Sequence, residues 1–229
     1  MKYIKNVTYP YKTRFERVEF AVKTLIPYTL NNESILNIGG GGQRHLEQAL
    51  DKLKISAECT EVDMHGDNDI TINLDEKKIL PFQNNQFTYC LLNDVLEHLE
   101  NFHLILNESF RVTKKILVIS LPIPSNNFLH IIKNKKYEDP LKNENGFYDK
   151  FYGLPHDIPE DRHRWWFTYD DVISFFENFE SKNNCEILVF SDLPEVKGWE
   201  HKIIKFFLPK RLYRNFFHNA IWLIVKKKE

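Results

Sequence analysis

Between Ser34 and Pro122 the chain alternates short apolar runs with amphipathic stretches. Residues 35–38 form an apolar run that ends in Gly39, Gly40, Gly41 and Gly42, which predicts a strand followed by a turn. Leu46, Ala49, Leu50 and Leu53 then recur at helical spacing. Residues 57–64 and 69–74 read as a second strand and a short third one, and 87–93 as a fourth. Leu96, Leu99, Phe102, Leu106 and Phe110 mark an amphipathic helix. Residues 116–121 are a buried-type strand stopped by Pro122. Strands alternating with helices predict an α/β fold, a parallel sheet covered by helices on both faces.

The flanks complete one domain over 1–229. Residues 14–30 are helical in pattern and form an N-terminal helical extension within 1–33. A long segment rich in Asn, Pro and aromatics, 123–168, follows the fifth strand. Residues 169–179 return to helix with Thr168 as N-cap, 186–191 to strand and 220–226 to a final strand. The basic, aromatic insertion 197–218 separates those last two strands.

With 229 residues, 42% hydrophobic and 28% charged, the chain can bury a core and is neither disordered nor fibrous. No apolar run approaches the ~18 residues of a membrane span, and the first thirty residues lack a signal-peptide pattern. A cytoplasmic location is expected. Three widely spaced cysteines, Cys59, Cys90 and Cys185, exclude a disulfide framework and read as core residues. The net charge of −1 is a cancellation. Residues 1–30 carry +4, residues 197–229 carry +7 and the body between them carries −12. An acidic body argues against a nucleic-acid partner. The cationic residues of 200–218 alternate with aliphatic and aromatic positions, so this insertion is the candidate for peripheral contact with an inner membrane surface.

The glycine turn lies where an open sheet binds ligands, at a strand's carboxyl end. A dinucleotide fingerprint needs a third Gly or Ala where Arg44 or His45 stands, and a triphosphate loop needs Lys-Ser/Thr. Neither is present. Asp63, closing the second strand, can take both hydroxyls of a ribose, which suggests an adenosine ligand without a pyrophosphate.

Leu80-Pro81-Phe82 leading to Phe87, then Asn93-Asp94-Val95-Leu96-Glu97-His98-Leu99, Glu108 to Lys115 and Ile119-Ser120-Leu121-Pro122 follow the turn in order. This set resembles the class I S-adenosylmethionine-dependent methyltransferases over about residues 34–122, with a Rossmann-like sheet. The resemblance implies S-adenosyl-L-methionine as cofactor. It places Gly39 and Gly41 at the methionine part, Asp63 at the ribose, Met64 against adenine, Asn73 and Leu74 beside the adenine amino group, and Asn93 at the methionyl side. Two departures stand out: Asn37 replaces the usual acid of the turn and Gln43 a glycine. They leave open a non-catalytic binding subunit with a decayed methyltransferase fold.

The segment from Arg162 to Thr168, Arg-His-Arg-Trp-Trp-Phe-Thr, resembles an element of methyltransferases from bacterial surface-polysaccharide gene clusters. That implies O-methylation of a saccharide or a nucleotide- or lipid-linked glycan, with a quinone or another small metabolite as the alternative. Aromatics at 147, 148, 151, 152 and 165–167 suit a sugar ring. His163 and His156 are the candidate general bases. Asp94, Glu97, His98 and His163 resemble the metal ligands of small-RNA 3′-end 2′-O-methyltransferases, but Asp94 stands where that family has Glu, Leu-Glu-His also starts a helix in many metal-free relatives, and no metal is expected. The sequence does not determine the oligomeric state.

Overall fold

Strands with apolar cores alternating with one-sided helices build a single mixed sheet in the computed structural model, which describes residues 1–3, 13–125, 158, 161–192 and 199–228. Its strands are β1 (Lys2–Tyr3), β2 (Ser34–Ile38), β3 (Glu58–Asp63), β4 (Ile70–Thr71), β5 (Phe87–Asn93), β6 (Thr113–Pro122), β7 (Cys185–Asp192) and β8 (Ala220–Lys227). They lie in the order β1-β7-β8-β6-β5-β2-β3-β4. The strands of residues 34–122 pair in parallel as expected, and the final strand β8 runs antiparallel to both β6 and β7. Asp192 at the end of β7 pairs with Ala220 at the start of β8. The chain therefore re-enters the sheet from the edge by which it left, without a crossover. The two-residue β1, which no sequence pattern marks, extends β7 in parallel.

The helices are α1 (Arg14–Leu25), α2 (His45–Leu53), α3 (Phe102–Val112), α4 (Tyr169–Lys182), α5 (Trp199–Phe207) and α6 (Lys210–Phe217). Capping boxes start α1 at Thr13 with Glu16 and α4 at Thr168 with Asp171. Pro27 falls in a 3-10 turn that ends the first helix earlier than its pattern suggests. On one face of the sheet Val22 and Leu25 of α1 and Leu46 of α2 pack on Ile35, Tyr89 and Trp222. On the other, Ile105 of α3 and Val172 and Phe176 of α4 pack on Leu36, Leu92 and Leu117. Cys90 and Cys185 are buried and Cys59 half-buried, and burial pushes the Cys90 thiol up to about 12.

The helix expected from Leu96 to Phe110 is broken. A 3-10 turn, Leu96–His98, precedes an extended Leu99. The carbonyls of Glu97, His98 and Leu99 accept from Arg164 N at 2.8 Å, Arg164 Nε at 2.9 Å and Trp165 Nε1 at 2.6 Å, rather than from a continuing helix. Apolar spacing alone cannot reveal a ladder interrupted by a partner 66 residues away.

The basic insertion docks on the acidic body. Asp170 of α4 accepts from Arg211 Nε at 2.5 Å and from Arg214 Nε at 2.7 Å. Burial opposes the charge of Asp170, but Arg211, Asn215 and Arg214 outweigh it and hold the carboxyl below its usual range. His218, which ends α6, is buried edge-on to Tyr169. Burial first, then Arg214 and Lys205, pushes its imidazole down to about 4. The folded value lies below the unfolded one of about 6.5. This contribution to stability is complete above that pH and is lost as pH falls toward 4. Urea unfolding at pH 7 and pH 5 should show that loss, and His218→Phe should remove part of the slope.

Candidate active site

The site grows from the carboxyl ends of β2, β3 and β5. Ile38 pairs with Leu92, so Gly39 and Asn93 leave adjacent strands side by side. Gly39 adopts φ 74° and donates its N–H to Val62 O at 2.7 Å. A Cβ there would lie 2.2 Å from Val95 Cγ2. Gly41, at φ 79°, donates its N–H to Asp63 Oδ2 at 2.7 Å. Asp63 Oδ1 accepts from Met64 N at 2.7 Å and His65 N at 3.2 Å. The carboxylate thus ties the glycine turn to the turn after β3 and holds itself in one orientation. Met64 beside it is 41% exposed.

Two buried amides flank this turn. Nδ2 of Asn37 and both Nδ2 and Oδ1 of Asn93 have no hydrogen-bond partner. Buried amides left unpaired cost about 1–3 kcal/mol per group, and a ligand's polar atoms offset that cost. Of the expected residues, Gly39 and Asn93 stand at the ends of adjacent strands, and Asp63 accepts from both Gly41 N and Met64 N. Asn73 and Leu74 are spent differently. Asn73 donates to Glu76 Oε1 at 3.0 Å and accepts from Asp75 N at 3.0 Å, and Leu74 is buried in the core.

On the acceptor side, His163 lies edge-on to His98 with ring centres 4.4 Å apart. His98 Nδ1 faces Asp161 Oδ1 at 2.5 Å, and its Nε2 is 3.6 Å from Glu97 Oε1. Glu97 is 1% exposed, with neither carboxylate oxygen hydrogen-bonded. Burial first, then the neighbouring Asp94, holds the Glu97 carboxyl well above its usual range. Burial, then His98, pushes His163 down to about 3. His156 lies outside the described residues.

Residues 36–119 match the profile of a family described as a methyltransferase domain. The chain carries a methyltransferase domain, and its cofactor is S-adenosylmethionine. No curated protein matches the sequence. The fold resembles that of a SAM-dependent methyltransferase from Archaeoglobus fulgidus at 16% identity and TM-score 0.54, covering 94% of this chain and 95% of that one. It also resembles the YcgJ protein from Bacillus subtilis at 14% identity and TM-score 0.53, covering 93% and 98%. A third likeness is to phosphoethanolamine N-methyltransferase 2 from Haemonchus contortus in complex with S-adenosyl-L-methionine, at 13% identity and TM-score 0.53. That match covers 92% of this chain and 52% of the other.

The residues present fit this cofactor. Asn37 and Asn93 have unpaired polar atoms at the turn, Asp63 stands at the end of β3 where the resemblance expects a ribose, and Met64 beside it is 41% exposed. Several contributors escape sequence reasoning. Gly66 (φ 87°) supports the methyltransferase's glycine turn from behind, because a Cβ on it would lie 2.6 Å from Gly42 O. Its only sequence signal is a second glycine soon after Asp63. Arg44, which spoils a dinucleotide fingerprint, pairs with Asp67 at 3.1 Å and Asp69 at 2.7 Å. Asp63→Ala should weaken S-adenosylmethionine binding by tenfold or more, the scale of hydrogen bonds to a charged group. Asn73→Ala, whose side chain serves its own turn, should change it less than threefold by calorimetry.

Proposed function

We propose that this methyltransferase O-methylates a saccharide or a nucleotide- or lipid-linked glycan. The observation that carries the reading is the way residues 161–167 fold over the end of β5. Arg164 and Trp165 clasp the carbonyls of residues 97–99. The clasp brings His163 to His98 and leaves Trp166 52% exposed. An aromatic face beside imidazole and carboxylate groups suits a ring that is apolar on its faces and hydroxylated at its rim. Bound at the glycine turn, S-adenosylmethionine supplies a sulfonium methyl whose S–C bond breaks as the new O–C bond forms. The protein's part is to hold the acceptor hydroxyl in line and hydrogen-bonded, which is worth on the order of 7–11 kcal/mol of the barrier. His163, and His156 from the same insert, are the proposed residues for receiving the hydroxyl's hydrogen bond and proton.

Labelled S-adenosylmethionine offered with nucleotide sugars and lipid-linked sugars should give a sugar methyl ether. His163→Ala should lower turnover by about 10²–10⁴-fold, as for a lost acid–base group. Transfer to quinones or amines only, or full turnover in the His156→Ala, His163→Ala double variant, would overturn the reading.

A second reading concerns location. In the described residues no helix is long and apolar enough to cross a membrane. Phe206 and Phe207 at the end of α5 are nonetheless 83% and 76% exposed, with Lys205 and Lys210 close in sequence. Such a face suits an anionic bilayer surface carrying a lipid-linked acceptor. The full chain should co-sediment with phosphatidylglycerol vesicles and not with phosphatidylcholine alone, and Phe206→Ser with Phe207→Ser should abolish the difference.

A further inference from the structure

Glu97, His98 and His163 bring one carboxylate oxygen and two imidazole nitrogens within 4.8 Å of one another. They come from two distant segments, and the contact is built. Arg164 N donates to Glu97 O at 2.8 Å, Arg164 Nε to His98 O at 2.9 Å and Trp165 Nε1 to Leu99 O at 2.6 Å. Arg164 also pairs with Glu100 at 2.7 Å. This strap fixes His163 against the 3-10 turn that carries the other two groups.

Glu97 supplies the independent sign of a ligand. It is almost fully buried, yet neither carboxylate oxygen has a hydrogen-bond partner. A buried carboxylate without partners is costly unless a cation or a proton completes it. Of the charged groups around it, Arg17 pairs with Asp94 at 2.7 Å, and Asp94 also accepts from Ser120 Oγ. Asp161 faces His98 Nδ1 at 2.5 Å. An ion bound by His98 would take Nε2, the atom 3.6 Å from Glu97 Oε1, with the Asp161 carboxylate beside the opposite nitrogen. Three donor atoms and a carboxylate beside one of the imidazoles are thus gathered at one point.

We propose that Glu97, His98 and His163 bind a divalent transition-metal ion, of the Zn²⁺ or Mn²⁺ type, beside the acceptor position of the methyltransferase. Two imidazoles favour such an ion over Mg²⁺ or Ca²⁺, which take oxygen ligands. Three protein ligands leave at least one coordination position open. In the setting of the proposed O-methylation, on which this further role rests, an acceptor hydroxyl occupies that position and is oriented there; with its lone pair on the ion His163 is a ligand rather than the base, and His156 is left to receive the proton. The proposal departs from the expectation of a metal-free site, because sequence spacing alone does not show that the three donors converge or that the Glu97 carboxylate lacks a hydrogen bond.

The test uses the untagged full chain, stripped by chelator, and titration calorimetry with ZnCl₂ and with MnCl₂, without acceptor. Paramagnetic resonance of bound Mn²⁺ gives a second readout. One site per chain with micromolar or tighter Kd is expected for at least one ion. Glu97→Gln and His163→Ala should each weaken it by at least 100-fold, and Asp161→Asn by 10-fold or more. Unchanged S-adenosylmethionine binding in the Glu97→Gln protein shows that the fold is kept. Should that variant not fold, His163→Ala decides alone. No saturable binding of either ion at millimolar concentration, or binding indifferent to these substitutions, would overturn the site. Metal binding without transfer to any sugar hydroxyl would sink the acceptor reading and leave the metal site standing. Sugar methylation by a chain that binds no metal would do the reverse.

Discussion

The cofactor side of this protein depends on one close approach of two backbone segments. Gly42 and Gly66 pass so near each other that a Cβ on Gly42 would lie 2.1 Å from His65 O, and both residues have positive φ. Asp67 N donates to Gly42 O at 3.0 Å, and Gln43 bridges Asp67 in parallel register. The turns after β2 and β3 therefore behave as one body, closed by the Asp63 carboxylate across Gly41 N. Neither turn could relax alone. Glycine takes these positive φ values without strain; Arg44, at φ 52°, carries a cost of about 1 kcal/mol or more and is held by its ion pairs to Asp67 and Asp69. The bridge uses only the backbone of Gln43, so a glycine there would form it equally.

The acceptor side is held by a different device. The strap from Asp161 to Thr168 spends its donors on carbonyls that a continuous helix would have used itself, so a break in α-helix and a gathering of side chains are one event. Because Thr168 then caps α4, the strap is anchored at both ends: by Arg164 and Trp165 at the 3-10 turn and by the capping box at the helix. The α4 helix in turn receives α6 through Asp170. Charge that looks segregated along the sequence is thus partly paired in space, acidic body to basic insertion.

Much of this was legible in the sequence, for identifiable reasons. Buried parallel strands write themselves as apolar runs, so β2, β5 and β6 are plain, and four glycines after β2 announce a backbone that a ligand can approach. The end of β3 at Asp63 and the cap at Thr168 carry local chemistry that needs no tertiary knowledge. What stayed hidden was long-range. The direction of β8 depends on where the chain re-enters the sheet. The break at Leu99 depends on Arg164 and Trp165. The engagement of Asn73 in its own turn depends on Glu76, three residues on, and no apolar period records it. Apolar periodicity reports which face of an element is covered; it cannot report which distant donor takes an element's carbonyls.

The same distinction settles how to regard Asn37. Read along the chain, an amide where an acid is usual looks like decay. Across the sheet, Asn37 pairs in register with Glu61 of β3, fully buried and with one carboxylate oxygen unpaired. A Cβ on Gly40 would lie 2.5 Å from Glu61 Oε2 and 2.8 Å from Asn37 Nδ2, so both polar atoms bear on the same point beneath the turn. Glu61 Oε1 already accepts from Leu46 N at the start of α2, at 2.9 Å, and burial holds its carboxyl above the usual range. An aspartate at 37 would set a second carboxylate against one that is already costly to ionise. An amide avoids that repulsion and offers a donor instead. A buried carboxylate thus stands one strand over from Asn37, and the amide is the side chain that can sit beside it without a second negative charge.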